Sequence, residues 1–137
     1  MLSANPHENA AITDAVQLGG GYIVSGGADS RLCVLDMRKD LSTISTYDHC
    51  KNCVYSLCSI GDACIFAGDG AGMLYCYDVI GKDSREVGLK YGIGASEQGA
   101  VRCLLPTENS KIVACGEDGK VLIFQYQNVV TSDDMYM

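Results

Sequence analysis

"AGDGAGMLYCYDV", residues 67 to 79, places glycines at 68, 70 and 72 and then runs into alternating apolar and aromatic residues. A glycine cluster of this kind either cradles a phosphate or turns a hairpin. The phosphate reading needs a helix N-terminus directly behind the glycines, because the helix supplies the N–H donors. The hairpin reading needs a strand on each side, with Gly and Asp supplying the turn conformations. The type of element that comes after each such cluster in the chain separates the two.

The segment recurs. "GGADSRLCVLD" (26–36) aligns with "GDGAGMLYCYD" (68–78) without a gap, and the match extends backwards through His7 on His49, Ile12 on Val54, Ala15 on Leu57, Gly19 on Gly61 and Ile23 on Ile65. A third copy, "VRCLLPTENSKIVACGEDGKVLIFQ" (101–125), aligns Val101 with Val54 and Leu104 with Leu57, carries Ser96 in the His position, and takes one added residue to bring Gly116 onto Gly68. Each copy of the cluster leads into an apolar run and never into a helical pattern, so all three are read as hairpin turns. The glycines of "YGIGASEQG" (91–99) are read as a long connection between units.

Each copy divides into short strands between turn signals. They are expected near 11–18, 21–26, 31–36 and 43–47, then 52–60, 63–68, 73–78 and 86–91, then 100–105, 111–116 and 120–126. The runs "LCVL" (32–35) and "VLIF" (121–124) do not alternate with polar residues, which is the pattern of sheets covered on both faces. A repeat of roughly 42 to 47 residues holding four antiparallel strands is one propeller blade.

The bulk composition narrows the function. The chain has 137 residues, 47% hydrophobic and 20% charged, which excludes a disordered or collagen-like chain. A formal net charge of -7 opposes sequence-independent binding to nucleic acid and favours a basic partner segment. No stretch reaches the roughly 18 apolar residues of a membrane helix, and "MLSANPHENAAITDAV" lacks the basic and apolar regions of a signal peptide. The expected location is the cytoplasm, with the nucleus open. The eight cysteines (33, 50, 53, 58, 64, 76, 103, 115) are then reduced thiols, most of them inside apolar runs where Cys packs as a small hydrophobe.

The repeat unit resembles the WD40 family, whose blades end in Gly-Ser-x-Asp-Gly-Thr, four apolar strand positions and Trp-Asp, with a Gly-His pair opening the unit. "GGADSRLCVLD" carries Asp29 in the turn and Asp36 at the strand end, while Leu35, Tyr77 and Phe124 occupy the tryptophan position in a chain with no Trp. The resemblance covers about 7–126 and implies an all-β fold of three WD40-like blades (about 7–48, 49–95 and 96–131, with a polar tail over 128–137). It also implies a structural hydrogen-bond network, placed at His7, Ser25 and Asp29 in the first blade. The second blade has lost its serine to Ala67 and its turn Asp to Ala71. The other positions assigned to this repeat scaffold are Asp36, His49, Asp69, Tyr77, Asp78, Asp118 and Phe124.

Three blades do not close a ring, since propellers close with typically four to eight. The chain is therefore expected to be the C-terminal portion of a longer propeller, its further blades lying upstream of Met1, or to self-associate. In proteins of this family, partners dock on the face made by the turns between second and third strands and by the connections between blades. That places a protein or peptide partner at Ala28, Lys51, Asn52, Gly70, Arg102 and Glu117.

Two other functions are weighed beside this non-enzymatic scaffold. One is the tail of an F-box/WD-repeat substrate receptor of a ubiquitin ligase. The other is a metal-binding or enzymatic propeller built on "DHCKNC" (48–53), which sets His49 beside Cys50 and Cys53. There is no second CxxC at zinc-finger spacing, both histidines sit at equivalent repeat positions, and the acids Asp29, Asp36, Asp69, Asp78, Glu117 and Asp118 mark turns and strand ends. No catalytic residue, cofactor or metal is assigned.

Overall fold

The computed structural model describes residues 1–80 and 86–126, with the main chain only at 80 and 86. It is all-β. The first sheet holds β1 (Ile12–Leu18), β2 (Tyr22–Gly27), β3 (Leu32–Asp36) and β4 (Ser42–Tyr47) in the order β1-β2-β3-β4. The second holds β5 (Val54–Ile60), β6 (Cys64–Asp69), β7 (Met73–Ile80) and β8 (Glu86–Gly94) in the order β5-β6-β7-β8. The third holds β9 (Val101–Pro106), β10 (Lys111–Gly116) and β11 (Val121–Gln125) in the order β11-β10-β9. Every pairing is antiparallel. These are WD40-like blades, and they do not close a ring. Part of the third expected unit and the tail, 127–137, lie outside the described residues.

The side chains explain why the sheets stack. In β3 the whole run Leu32–Asp36 is buried, and β6 is buried from Cys64 to Asp69, so both faces of these strands are covered. Val24, Leu32 and Val34 of the first sheet pack against Leu57, Ile65, Ala67 and Tyr77 of the second. On its opposite face the second sheet offers Cys58, Cys64, Phe66, Leu74 and Cys76 to Leu104, Ile112 and Ala114 of the third. Period-two alternation sends neighbouring residues of each strand into different cores. Five of the eight cysteines are buried, packed as small apolar side chains, and all eight are free thiols.

The hairpin turns share one geometry. Gly27 N bonds to Arg31 O and Gly116 N to Lys120 O, both at 3.2 Å, and left-handed backbone occurs at Ser30, Gly72 and Gly119 with φ of 67°, 86° and 82°. Four sequence expectations change here, the first at 121–124, where Val121 and Ile123 are exposed and only one face of β11 is covered. Gly116 pairs with Val101 as Asp69 does with Val54 and Gly27 with Ile12, so Gly116 stands in the place of Gly27 and Asp69, and the third copy needs no added residue. Tyr91–Gly94 belongs to β8 and is not a connection: Gly92 has no side chain because a Cβ there would lie 3.0 Å from the Tyr75 ring. Asp78 does not close its strand, since β7 continues to Ile80.

Candidate functional site

Each blade treats its turn differently, and the differences are electrostatic. In the first, His7 is 1% exposed and its Nδ1–H donates to Asp29 at 2.9 Å, while its Nε2 accepts from the Ser25 hydroxyl at 2.8 Å. Asp29 is an acceptor when ionised, which assigns the proton to Nδ1. Asp29 Oδ1 also accepts from Arg31 N at 3.2 Å, closing the turn. A Cβ on Gly27 would sit 2.6 Å from His7 Nδ1 and 2.8 Å from Asp29 Oδ1, so this network demands glycine at 27.

The second blade has an acid at that position. Asp69 is wholly buried, and its carboxylate accepts from Ala71 N (3.0 Å), Met73 N (2.9 Å) and Lys51 N (3.2 Å). It does from the Gly27 position what Asp29 does from its own, with Ala71 left where Asp29 would be. Among the described residues His49 has no hydrogen-bond partner for its buried Nδ1, and its ring stacks on Tyr47 (centroids 6.3 Å) and against Tyr77 (5.6 Å). In the third blade Asp118 accepts from Lys120 N (3.1 Å) and, lacking a histidine, from Glu97 N (3.2 Å). These backbone N–H groups and the Lys120 charge hold the Asp118 carboxyl below the usual carboxylate range.

The remaining scaffold positions are peripheral to this. Burial pushes the Asp36 carboxyl up, but the Arg38 N–H at 2.9 Å and the Arg38 guanidinium outweigh it and hold it below its ordinary value. Asp78 is half-buried with Lys90 Nζ at 3.8 Å. Phe124 packs on the core between second and third sheets. Tyr77 is buried with its hydroxyl beside the Cys50 thiol.

The turns and the inter-blade connections meet along one rim. Ala28 N donates to Ala11 O (2.8 Å), Gly70 N to Cys53 O (2.8 Å) and Glu117 N to Ala100 O (2.9 Å), the same tie in each blade. Beside each tie a bulge leaves Thr13, Tyr55 or Arg102 out of the strand register. A bulge re-aims its side chain, here towards the rim. The Arg102 guanidinium lies 4.7 Å from the Tyr55 ring centroid, a cation–π contact that joins the second and third blades. Gly70 makes room for this arrangement, since a Cβ would stand 2.4 Å from Asn52 Oδ1 and 3.1 Å from Tyr55 Cε2.

The structure thus gathers Asn52, Gly70 and Arg102 around Tyr55, with Lys51 exposed next to them. Ala28 is joined through its carbonyl to the Cys53 thiol at 3.3 Å. Glu117 is turned back, its Oε1 accepting from Ala100 N at 2.7 Å. Sequence reasoning missed Tyr55 and Thr13, although the alignment of Val101 with Val54 puts Tyr55 at the position of Arg102.

His49, Cys50 and Cys53 do not converge: the His49 ring is stacked, the Cys53 thiol faces Ala28, and burial pushes the Cys50 thiol up to about 12. Among the described residues no group of three His, Cys, Asp or Glu side chains could hold a metal ion. Asp29, His7 and Ser25 have the connectivity of a hydrolytic triad, but Ser25 is only 4% exposed, which keeps a substrate from its hydroxyl.

No sequence-family profile matches the chain, and no curated protein does. Its structure is similar to the solved WD40 β-propeller domain of Doa1, with a TM-score of 0.73 and 17% sequence identity, over 88% of this chain and 38% of that one. The fold is therefore that of WD40 propeller blades, and the chain spans well under half the length of this structural neighbour.

Proposed function

We propose that these three WD40-like blades form a non-enzymatic interaction module that binds a protein or peptide on the rim around Tyr55. The observation that carries the reading is the Tyr55–Arg102 contact flanked by exposed Lys51 and Asn52, set on backbone ties repeated in every blade. Loop residues held by a rigid scaffold are where binding surfaces are built. Tyr and Arg together supply a flat apolar platform with a fixed charge, the residue types that dominate interface energetics.

The charge of the partner is set by the local groups. Three acids near the rim are engaged: Asp69 and Glu117 accept from backbone N–H, and Asp29 from His7 and Arg31. Lys51 and Arg102 are exposed cations, so the rim is fitted to a carboxylate on the partner, seated against the Tyr55 ring. The net charge of -7 acts over a longer range and favours basic residues flanking that carboxylate.

Peptide-display selection against the purified chain tests the proposal. Selected peptides should carry an acidic residue, lose binding to Arg102→Glu and Tyr55→Ala, and keep it with Lys39→Glu at the other end of the blades. Peptides that bind all the variants equally, or a selection that yields none, would defeat it.

A further inference from the structure

The first and second sheets each end on a fourth strand, β4 and β8, whereas β11 is the outer edge of the third sheet among the described residues. The ladder fixes which of its groups face outward. Gly116 N bonds to Lys120 O (3.2 Å) and Tyr126 N to Ser110 O (2.8 Å), so the hydrogen-bonded pairs with β10 fall at residues 120, 122, 124 and 126. Leu122 and Phe124 therefore direct their N–H and C=O to β10, and Val121, Ile123 and Gln125 direct theirs away from the sheet. The strand is also undefended. Edge strands are normally blunted by charge, proline or a bulge, and Val121–Gln125 has none of these, with Val121 and Ile123 each 66% exposed.

The opposite end of the molecule is closed. Pro6 and His7 lie over the outer face of the first sheet, where the Cys33 thiol donates to Pro6 O at 3.6 Å and Ser25 to His7. β4 and β8 are outer edges too, but each carries a bulge, at Ile44 and at Lys90, so among the described residues β11 is the one outer edge without such a defence. A single self-complementary site builds a closed pair, not a chain of copies.

We infer that β11 pairs antiparallel with β11 of a second copy about a two-fold axis at Ile123, joining two three-stranded sheets into one six-stranded sheet. The outward pattern is self-complementary: Ile123 meets itself, Val121 meets Gln125 of the second copy, and all the outward groups fall in register for about six hydrogen bonds. Lys120 falls opposite Tyr126 of the second copy, so no like charges face each other across the pairing. The contact is smaller than the roughly 1,600 Å² of a standard interface, and the pair dissociates on dilution.

Light scattering and amide exchange, measured together from low to high micromolar concentration, test this. The mass should rise from 14.6 kDa towards twice that value. Exchange at Val121, Ile123 and Gln125 should slow as concentration rises, while Leu122 and Phe124 stay protected throughout. Ile123→Lys, at an exposed position where folding is untouched, should hold the chain monomeric by setting two ammonium groups face to face. Ile123→Pro should do the same by removing the central outward N–H. A mass fixed at the monomer value would overturn the pairing. So would protection of the three outward amides that ignores concentration, which would assign the edge to another segment of the same chain. A dimer that survives both variants would place the contact elsewhere.

Discussion

Replacing Asp69 tests whether one carboxylate organises the second blade. The side chain is wholly buried and accepts three backbone N–H groups, those of Ala71 and Met73 on Oδ1 and that of Lys51 on Oδ2. Hydrogen bonds to a charged group contribute roughly 1.5 to 3 kcal/mol each when buried. Lys51 and Ala71 are exposed, so water recovers part of what their N–H groups lose. Asp69→Ala should then cost on the order of 3 kcal/mol, a large share of a domain's ~5 to 15 kcal/mol. Asp69→Asn keeps Oδ1 for Ala71 and Met73 but turns an amide donor against the Lys51 N–H, and should cost about 1 kcal/mol. Urea unfolding reads both. With a slope of about 2 kcal/mol/M, the alanine variant moves the midpoint by roughly 1.5 M and the asparagine variant by about a third of that. Equal losses in the two variants would show that charge, not the placing of Oδ1 between two donors, stabilises the turn. A loss under about 0.5 kcal/mol for Asp69→Ala would refute the organising role.

Ser30 holds φ at 67°, where the other two turns have glycine, so Ser30→Gly should stabilise by about 0.5–1 kcal/mol in the same assay; a destabilised variant would count against it. The hydroxyl of buried Tyr77 has only the Cys50 thiol, a weak partner, beside it among the described residues, so Tyr77→Phe should cost under about 1 kcal/mol, and a larger loss would reveal a stronger partner. Burial pushes the Cys50 and Cys58 thiols up to about 12, so at neutral pH they stay protonated. Mass-resolved alkylation should modify exposed Cys103 first and these two only on unfolding. The carboxyls of Asp36 and Asp118 lie below their unfolded values. Their stabilisation is therefore present above about pH 4 and lost as pH falls further. The urea midpoint should fall with acidification in that window, and less so in Asp118→Asn.

Strand limits read from the sequence fall within two residues of those observed, except at β8. The signals there are local: β-branched and aromatic runs end where Gly, Asp and Asn begin. Tyr91–Gly94 misleads because Gly92 is a response to the Tyr75 ring on a neighbouring strand, which chain order does not reveal. At the rim, resemblance places Arg102 and Asn52, but Tyr55 reads as an ordinary strand residue until the bulge turns it out of the register beneath Arg102.

Composition, period and alternation by themselves determine that this chain forms antiparallel blades, because each strand and turn is specified by its own few residues. The tertiary structure alone decides which acid serves each turn. That choice depends on space: His7 fills the place beside Gly27, the Asp69 carboxylate fills its counterpart in the second blade, and Glu97 N supplies what the third blade lacks. It decides as well that β11 is the outer strand of the third sheet among the described residues, since an edge is defined by the strands that pair.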